Sequence, residues 1–383
     1  MKIIIGADIC ITESNKDKFE SADIDQLLGK ELTQILRQAD VRIFNLEGPL
    51  IDEDAPITKC GPALKMSEKS IAGLKALEVS LFGLANNHIM DHGTKGYTKT
   101  MELLAKAQIP SVGCGKNAEE ASKPYIIEMN NKKIGVYACA EHEFTIVSED
   151  MPGANPYDYL ESFDHIYNLK QQCDYVIVLY HGGKEHYRYP SPDIQKIFRK
   201  MAQKGADLVV AQHTHCIGCF EEYMGSTLVY GQGNFIFDNM DNEYWNSGLL
   251  IEVDIENDKN CVKFIPFTKK SGGIIRIATE KETSELMNGF YNRSKQVVDD
   301  TFVKQEYSKY AASMFEEYLR IVHGNNFFFK VFNKLAGGGL VFKMYEGKNA
   351  LVGLLNMIEC EAHHELLITA IKNEYKKGKY RNG

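Results

Sequence analysis

No apolar run in this sequence is long enough to cross a membrane, so no transmembrane span is expected. The opening Met1-Lys2-Ile3-Ile4-Ile5-Gly6 reaches Asp8 too soon to read as a secretory signal, and the expected location is cytoplasmic. There is no basic excess. With 44 Lys+Arg against 52 Asp+Glu, the net charge of −8 argues against general nucleic-acid binding, which needs a positive face. The acidity lies in the body of the chain, while the segment after residue 280 is mildly basic. No second pair at zinc-finger spacing accompanies Cys216-x-x-Cys219, and nine scattered cysteines read as free thiols in a reducing compartment. Internal repeats and low-complexity linkers are also missing. What remains is ordinary for a globular protein: 383 residues, 44% hydrophobic and 25% charged, enough for one large core with an appendage.

The first two thirds of the chain alternate strand-like and helix-like segments. Ile3–Ile5 and Val41–Phe44 are expected strands, with Leu27, Leu28, Leu32, Ile35 and Leu36 at helical spacing between them. Ser80–Leu84, Ser111–Val112, Tyr175–Leu179 and Leu208–Ala211 read as further strands. Helices are expected near Ala72–Leu77, Thr100–Ala107, Phe163–Gln172 and Pro192–Lys204. Asn130-Asn131-Lys132 between Tyr125–Met129 and Ile134–Ala138 is a hairpin signal. After His215, Phe220–Tyr223, Thr227–Tyr230, Gly248–Ile255 and Val262–Phe267 read as successive strands of a mixed or antiparallel half. These patterns imply an α/β layered core of two sheets with helices outside, over residues 1–279. A mainly helical extension is expected over 280–383. It is interrupted by the aromatic run Phe327–Phe332, expected in a core, and by Gly337–Gly339, and it ends in basic Lys376–Arg381.

Five apolar runs end in residues that bind hard cations: Asp8, Glu47, Asn87-His88, His181, and His213-x-His215. Taken singly each has an ordinary explanation, since Asp8 could cap a turn and His88 could be a buried or capping histidine. A parallel sheet, however, collects its chemistry at the carboxyl ends of its strands. Carboxylate, amide and imidazole gathered there suggest a two-metal hydrolase. The two oxygens of Glu47 could each face a cation. Asn87 offers a neutral oxygen, His88 could protonate a leaving group, and Asp91 could orient that imidazole. Weaker candidates for substrate contact are Lys59 in the Lys59-Cys60-Gly61-Pro62 loop, Glu141 of Glu141-His142-Glu143, and Glu185 of Glu185-His186.

Asn45-Leu46-Glu47, Ala85-Asn86-Asn87-His88-x-x-Asp91-x-Gly93, His181-x-Gly183-x-Glu185, His213-x-His215 and Tyr230-Gly231-Gln232-Gly233-Asn234-Phe235 together resemble the CapA-like family. That family is linked to poly-γ-glutamate capsule synthesis and lies within the calcineurin-like metallophosphoesterase superfamily. The resemblance covers about residues 3–270. It implies a four-layer α/β/β/α sandwich. One metal would be held by Asp8, Glu47 and His215, and the other by Glu47, Asn87, His181 and His213. Glu47 would bridge them, and His88 would act as general acid. The chain departs from the pattern at Asp8-Ile9-Cys10, where Asp-x-His is usual, so one metal lacks an imidazole and Cys10 is a candidate thiolate in its place. It also carries Gly182 where relatives commonly have Trp, His186 where they have Tyr, and Gln212 and Thr214 beside its paired histidines.

The resemblance implies a metal-dependent hydrolase of capsule, surface-polymer or cell-envelope metabolism, with water activated by one or two divalent ions. Manganese, iron or zinc would suit the donor types. The substrate would be an anionic small molecule or polymer precursor, carrying a phosphoester or a γ-glutamyl amide. The alternative is a non-hydrolytic accessory component of a polymer-synthesis complex, meeting a protein partner through the C-terminal extension.

Overall fold

A computed structural model describes residues 1–239, 241–255, 260–270, 273–322, 331–332, 334–335, 348–360, 362–368 and 371. Gly337–Gly339, Lys376–Arg381 and residues 327–330 of the aromatic run lie outside them. The two described residues of that run, Val331 and Phe332, are exposed.

The strands in chain order are β1 Lys2–Ile9, β2 Val41–Leu46, β3 Leu81–Gly83, β4 Ser111–Val112, β5 Cys114–Gly115, β6 Tyr125–Met129, β7 Lys132–Ala140 and β8 Gly153–Ala154. They continue with β9 Tyr175–His181, β10 Leu208–Gln212, β11 Phe220–Tyr223, β12 Ser226–Val229, β13 Asn234–Ile236, β14 Ser247–Ile255, β15 Asn260–Lys270 and β16 Ile274–Ile277. One sheet has the order β16-β15-β14-β1-β2-β3-β4, with β13 pairing β1, and the second has the order β11-β12-β10-β9-β7-β6. The centres are parallel: β2 pairs β1 and β3, and β9 pairs β7 and β10.

Alternating side chains on each strand separate three cores. Ile3, Ile5, Ile43, Ile177, Leu179 and Val210 meet between the sheets. Ile4 and Phe44 face outward from the first sheet onto the helix Ile24–Arg37, through Leu27, Leu28 and Leu32. Val176, Val178 and Tyr180 face outward from the second sheet onto Ile166 and Leu169 of helix Ser162–Lys170 and Phe198 of helix Pro192–Gln203. The result is a four-layer α/β/β/α sandwich, as expected. Local chemistry agrees with these positions. Ser191 caps the helix begun by Pro192, accepting from the Ile194 N–H. The β6–β7 hairpin turns at Asn130 and Asn131, both with positive φ, the conformation a two-residue turn between twisted strands favours.

Two expectations shift. The helix expected from Thr100 starts earlier, at Gly93, two residues after Asp91. The strands after His215 do not form a half of their own. β11 and β12 join the second sheet, and β14 and β15 join the first, because β14 pairs antiparallel with β1. The chain falls into two compact units, Met1–Gln305 and Glu306–Gly383. Helix Glu280–Val297 carries Phe290 and Met287 into a small core with Ile217 and Leu249, which ties it to the first unit. The second unit, 306–383, contains helix Lys348–Glu359. Among the described residues no helix is long and apolar enough to cross a membrane.

Candidate metal centre

Strand register brings the donors to one level. Asp8 stands opposite Asn45 on β2 and Asn234 on β13, and His181 stands opposite Gln212 on β10 and Ala140 on β7. The donors therefore lie at one edge, which is why residues more than two hundred positions apart meet. Asp8, Glu47, Asn87, His88, Asp91, His181, His213 and His215 are all buried.

The His181 Nε2 atom lies 3.1 Å from the Asn87 Oδ1 and 3.3 Å from the Glu47 Oε1. One ligand atom each from Glu47, His181 and His213 fall within 4.8 Å of one another. Glu47 Oε1, His181 Nδ1 and His213 Nδ1 are buried and accept or donate no hydrogen bond. Orphaned polar atoms of this kind cost roughly 1–3 kcal/mol each. With Glu47 Oε1 making no hydrogen bond and ligand atoms of Glu47, His181 and His213 clustered together, the donor set fits a divalent cation.

The electrostatics match. Burial pushes the Glu47 carboxyl up, but His181 foremost, with His88 and His215, outweighs burial and holds it well below the usual carboxylate range. Burial depresses the His181 imidazole, and the Glu47 carboxylate more than reverses that, so the group sits above its ordinary value. His213 has no such compensation: burial and the neighbouring imidazoles push it well below 6.5, leaving it neutral and ready to ligate.

Asp8 is held differently. Asn45 Nδ2 donates to Asp8 Oδ1 at 2.9 Å and also to Glu47 Oε2, and the His213 N–H points to Asp8 Oδ2 at 3.4 Å. His215 Nδ1 lies 2.8 Å from Asn234 Oδ1 and 3.6 Å from Asp8 Oδ2. Both neighbours accept, so the proton sits on Nδ1 and Nε2 keeps the free lone pair. Cys10 is buried; desolvation first, then Glu47 and Asp8, push its thiol well above its usual value. The thiolate considered for position 10 is therefore not supported, because a second negative charge among these carboxylates is unfavourable.

His88 has the form of an oriented acid. Its Nδ1 lies 2.6 Å from Asp91 Oδ2, and its Nε2 faces Glu47 Oε1 at 4.0 Å. Asp91 also accepts from the Leu64 N–H at 2.7 Å and from Lys59 Nζ at 2.6 Å. Lys59 donates further to the Asn87 carbonyl at 2.9 Å, and its side chain is only 3% exposed. The loop cation expected to meet substrate is thus directed inward, onto the His88–Asp91 pair. Glu141 lies beside His181, with Tyr180 donating to it at 3.3 Å, and burial raises its carboxyl. A Cβ at position 182 would come within 2.5 Å of the Glu141 carboxyl, so Gly182 makes room for it. Glu185 is exposed, and its carboxylate falls within 4.8 Å of ligand atoms of His213 and His215.

Several site residues had no assigned role in the sequence reading. Asn45 joins Asp8 to Glu47, and its spacing of two from Glu47 on one strand was the available signal. Asn86 braces the same point, donating to Asn45 Oδ1 at 3.0 Å and accepting from the His88 N–H at 3.1 Å. Glu143 accepts from Asn87 Nδ2 at 3.1 Å, which turns the amide oxygen toward His181. An aromatic wall closes one side. Trp245 packs 4.8 Å from His215, and its Nε1 donates to His186 Nε2 at 2.9 Å. Nothing in the local spacing of Trp245 announces this.

The class defined here is a four-layer α/β/β/α sandwich with carboxylate, amide and imidazole donors gathered at the carboxyl edges of both sheets. Residues 2–239 match the family described as bacterial capsule synthesis protein PGA_cap, and the chain belongs to that family. It is 31% identical over 182 residues to the PGA biosynthesis protein CapA of Bacillus subtilis, covering 46% of this chain and 47% of that one. It is 27% identical over 218 residues to the capsule biosynthesis protein CapA of Bacillus anthracis, covering 55% and 53%. The chain thus spans about half the length of the curated relatives it matches. Among solved structures it is similar to a phosphatase from Mycoplasma pneumoniae, at 16% identity and a TM-score of 0.43, covering 70% of this chain and 93% of that one.

Proposed function

We propose that this protein is a metal-dependent hydrolase acting on an anionic precursor or product of capsule or surface-polymer metabolism, at a phosphoester or a γ-glutamyl amide. The observation that carries the reading is the convergence of Glu47, His181 and His213 within 4.8 Å, with buried lone pairs left unpartnered. Asn87, Glu47, His181 and His213 would hold one cation, and Asp8, Glu47 and His215 would face a second. When bound, divalent cations supply Lewis-acid polarisation and a nucleophile at neutral pH.

The chain's own residues do the rest. Asp91 fixes the His88 proton at Nδ1, so a further proton on Nε2 is the one available to a leaving group. Lys59 holds Asp91 in place from the other oxygen. Glu143 fixes the Asn87 amide and Asn86 the His88 backbone, and Trp245, joined to His186, packs beside the His215 ring. The body is acidic, so an anionic substrate would be drawn by the cations and not by the protein surface.

The test is metal content by elemental analysis, followed by hydrolysis assays with p-nitrophenyl phosphate and with short poly-γ-glutamate. About one or two equivalents of metal, with metal-dependent turnover of either substrate, is the expected result. Metal without turnover would favour an accessory role, to which the absence of an imidazole at position 10 already lends support. No metal after reloading with manganese or zinc would sink the hydrolase reading.

A further inference from the structure

The loop after β9 carries Glu185 back over the His213–His215 turn. Two contacts hold it there: the His186 N–H donates to the Thr214 carbonyl at 2.8 Å, and Trp245 Nε1 donates to His186 Nε2. Glu185 offers a carboxylate oxygen within 4.8 Å of ligand nitrogens of both His213 and His215, and this trio adjoins the one formed by Glu47, His181 and His213, with His213 common to both. His213 is 8% exposed, and its Nδ1 has no hydrogen-bond partner. On the opposite side Asp8 is occupied by Asn45 and by the His213 N–H.

We propose that Glu185 is a metal ligand, and that with His215 it completes the donor set of the second cation, beside His213 and on the side of the site where Cys10 supplies no imidazole. The carboxylates of Asp8, Glu47 and Glu185 with the imidazole of His215 are a sufficient protein donor set for manganese, iron or zinc with water in the remaining positions. The role differs from substrate contact: the carboxylate acts on the ion, and the loop from Gly183 to Tyr189 becomes part of the metal centre. His186 and Trp245 are then positioning residues, which hold Glu185 at its distance without touching the cation.

The inference rests on the metal-binding half of the proposed function, and one experiment separates the two. Manganese is titrated by calorimetry and by electron paramagnetic resonance into the parent, Glu185→Gln, Glu185→Ala and His181→Ala proteins, each first stripped of metal. Glu185 is exposed, so both of its variants should fold, and melting of the stripped proteins checks this. The expected result is two binding events in the parent. One should be weakened about tenfold or more in the Glu185 variants, and the other lost in His181→Ala, since even supporting residues of metal sites change affinity by about 10–100-fold. Parent-like binding in both Glu185 variants, with loss only in His181→Ala, would overturn this inference and leave the hydrolase reading standing. Loss at Glu185 in a protein that hydrolyses neither substrate would uphold the inference and remove the hydrolase. No manganese binding by the parent would remove both.

Discussion

The two flanks of the centre are built on opposite principles. Around His88 and Asp91 the polar groups are paired: Lys59 on Asp91, Asp91 on His88 and on the Leu64 N–H, Asn86 on Asn45. Around His181 and His213, three buried polar atoms make no hydrogen bond. The satisfied flank stands without any ligand and serves as scaffold. The unsatisfied flank is stable only because the rest of the fold holds it, and it is where a cation has most to gain. Stability and binding should therefore be separable by mutation.

The largest effect is expected where the satisfied flank is broken. Lys59→Met leaves the Asp91 carboxylate buried without its cation, and loss of one partner of a buried pair costs about 3–5 kcal/mol. Urea denaturation should show that loss, while the metal stoichiometry of the folded fraction stays that of the parent. A midpoint within error of the parent's would mean that the ion pair contributes no stability, and the contrast between the flanks would fail. The double variant His181→Ala, His213→Ala breaks the other flank. Metal affinity should fall by at least about 100-fold, equivalent to about 2.7 kcal/mol, with far less loss of apo stability than Lys59→Met. Retained metal by elemental analysis would contradict the assignment.

A pH titration sharpens the comparison further. In the metal-free protein burial lowers His181 and His215, but Glu47 for the first and Asp8 for the second outweigh burial and hold both above 6.5. Their contacts thus contribute stability in full below that value, and the contribution is lost as pH rises through the raised values. A cation must displace these protons, so affinity should increase from pH 6 toward pH 8, by about tenfold per proton and pH unit. Calorimetry in two buffers of different ionisation enthalpy reads the released protons directly; identical heats in both would show the imidazoles already neutral. The smallest effect is expected at Cys10→Ala, which removes a buried thiol and no ligand. Metal content should be unchanged, with roughly 1 kcal/mol lost in melting for the shortened side chain.

Strand-end donors were legible because an apolar run closing in Asp, Glu or His has few packing explanations. Two sheets with helices outside were legible from the alternation of periodicities. The pairing of β14 with β1 was not, since a long apolar strand reads alike whichever sheet receives it. Nor was the direction of Lys59: composition gives a loop cation, and only the fold shows Asp91 beneath it. The aromatic wall escaped for a similar reason, because Trp245 reaches His215 through a short helical turn, Glu243–Asn246, too brief to carry a pattern.

The shared level of the strand ends also bears on kinetics. Asp8 and His215 lie at opposite ends of the family-matched segment, and His181 reaches its neighbours only once β7, β9 and β10 are paired. A cation meets no pre-formed pair of donors in the unfolded chain except the two histidines flanking Thr214. Pairings of such long sequence separation form late. An ion that recognises only their completed arrangement leaves the rate of folding unchanged and acts on the rate of escape. Loaded protein should refold no faster than stripped protein, yet unfold more slowly in proportion to how tightly the ion is held.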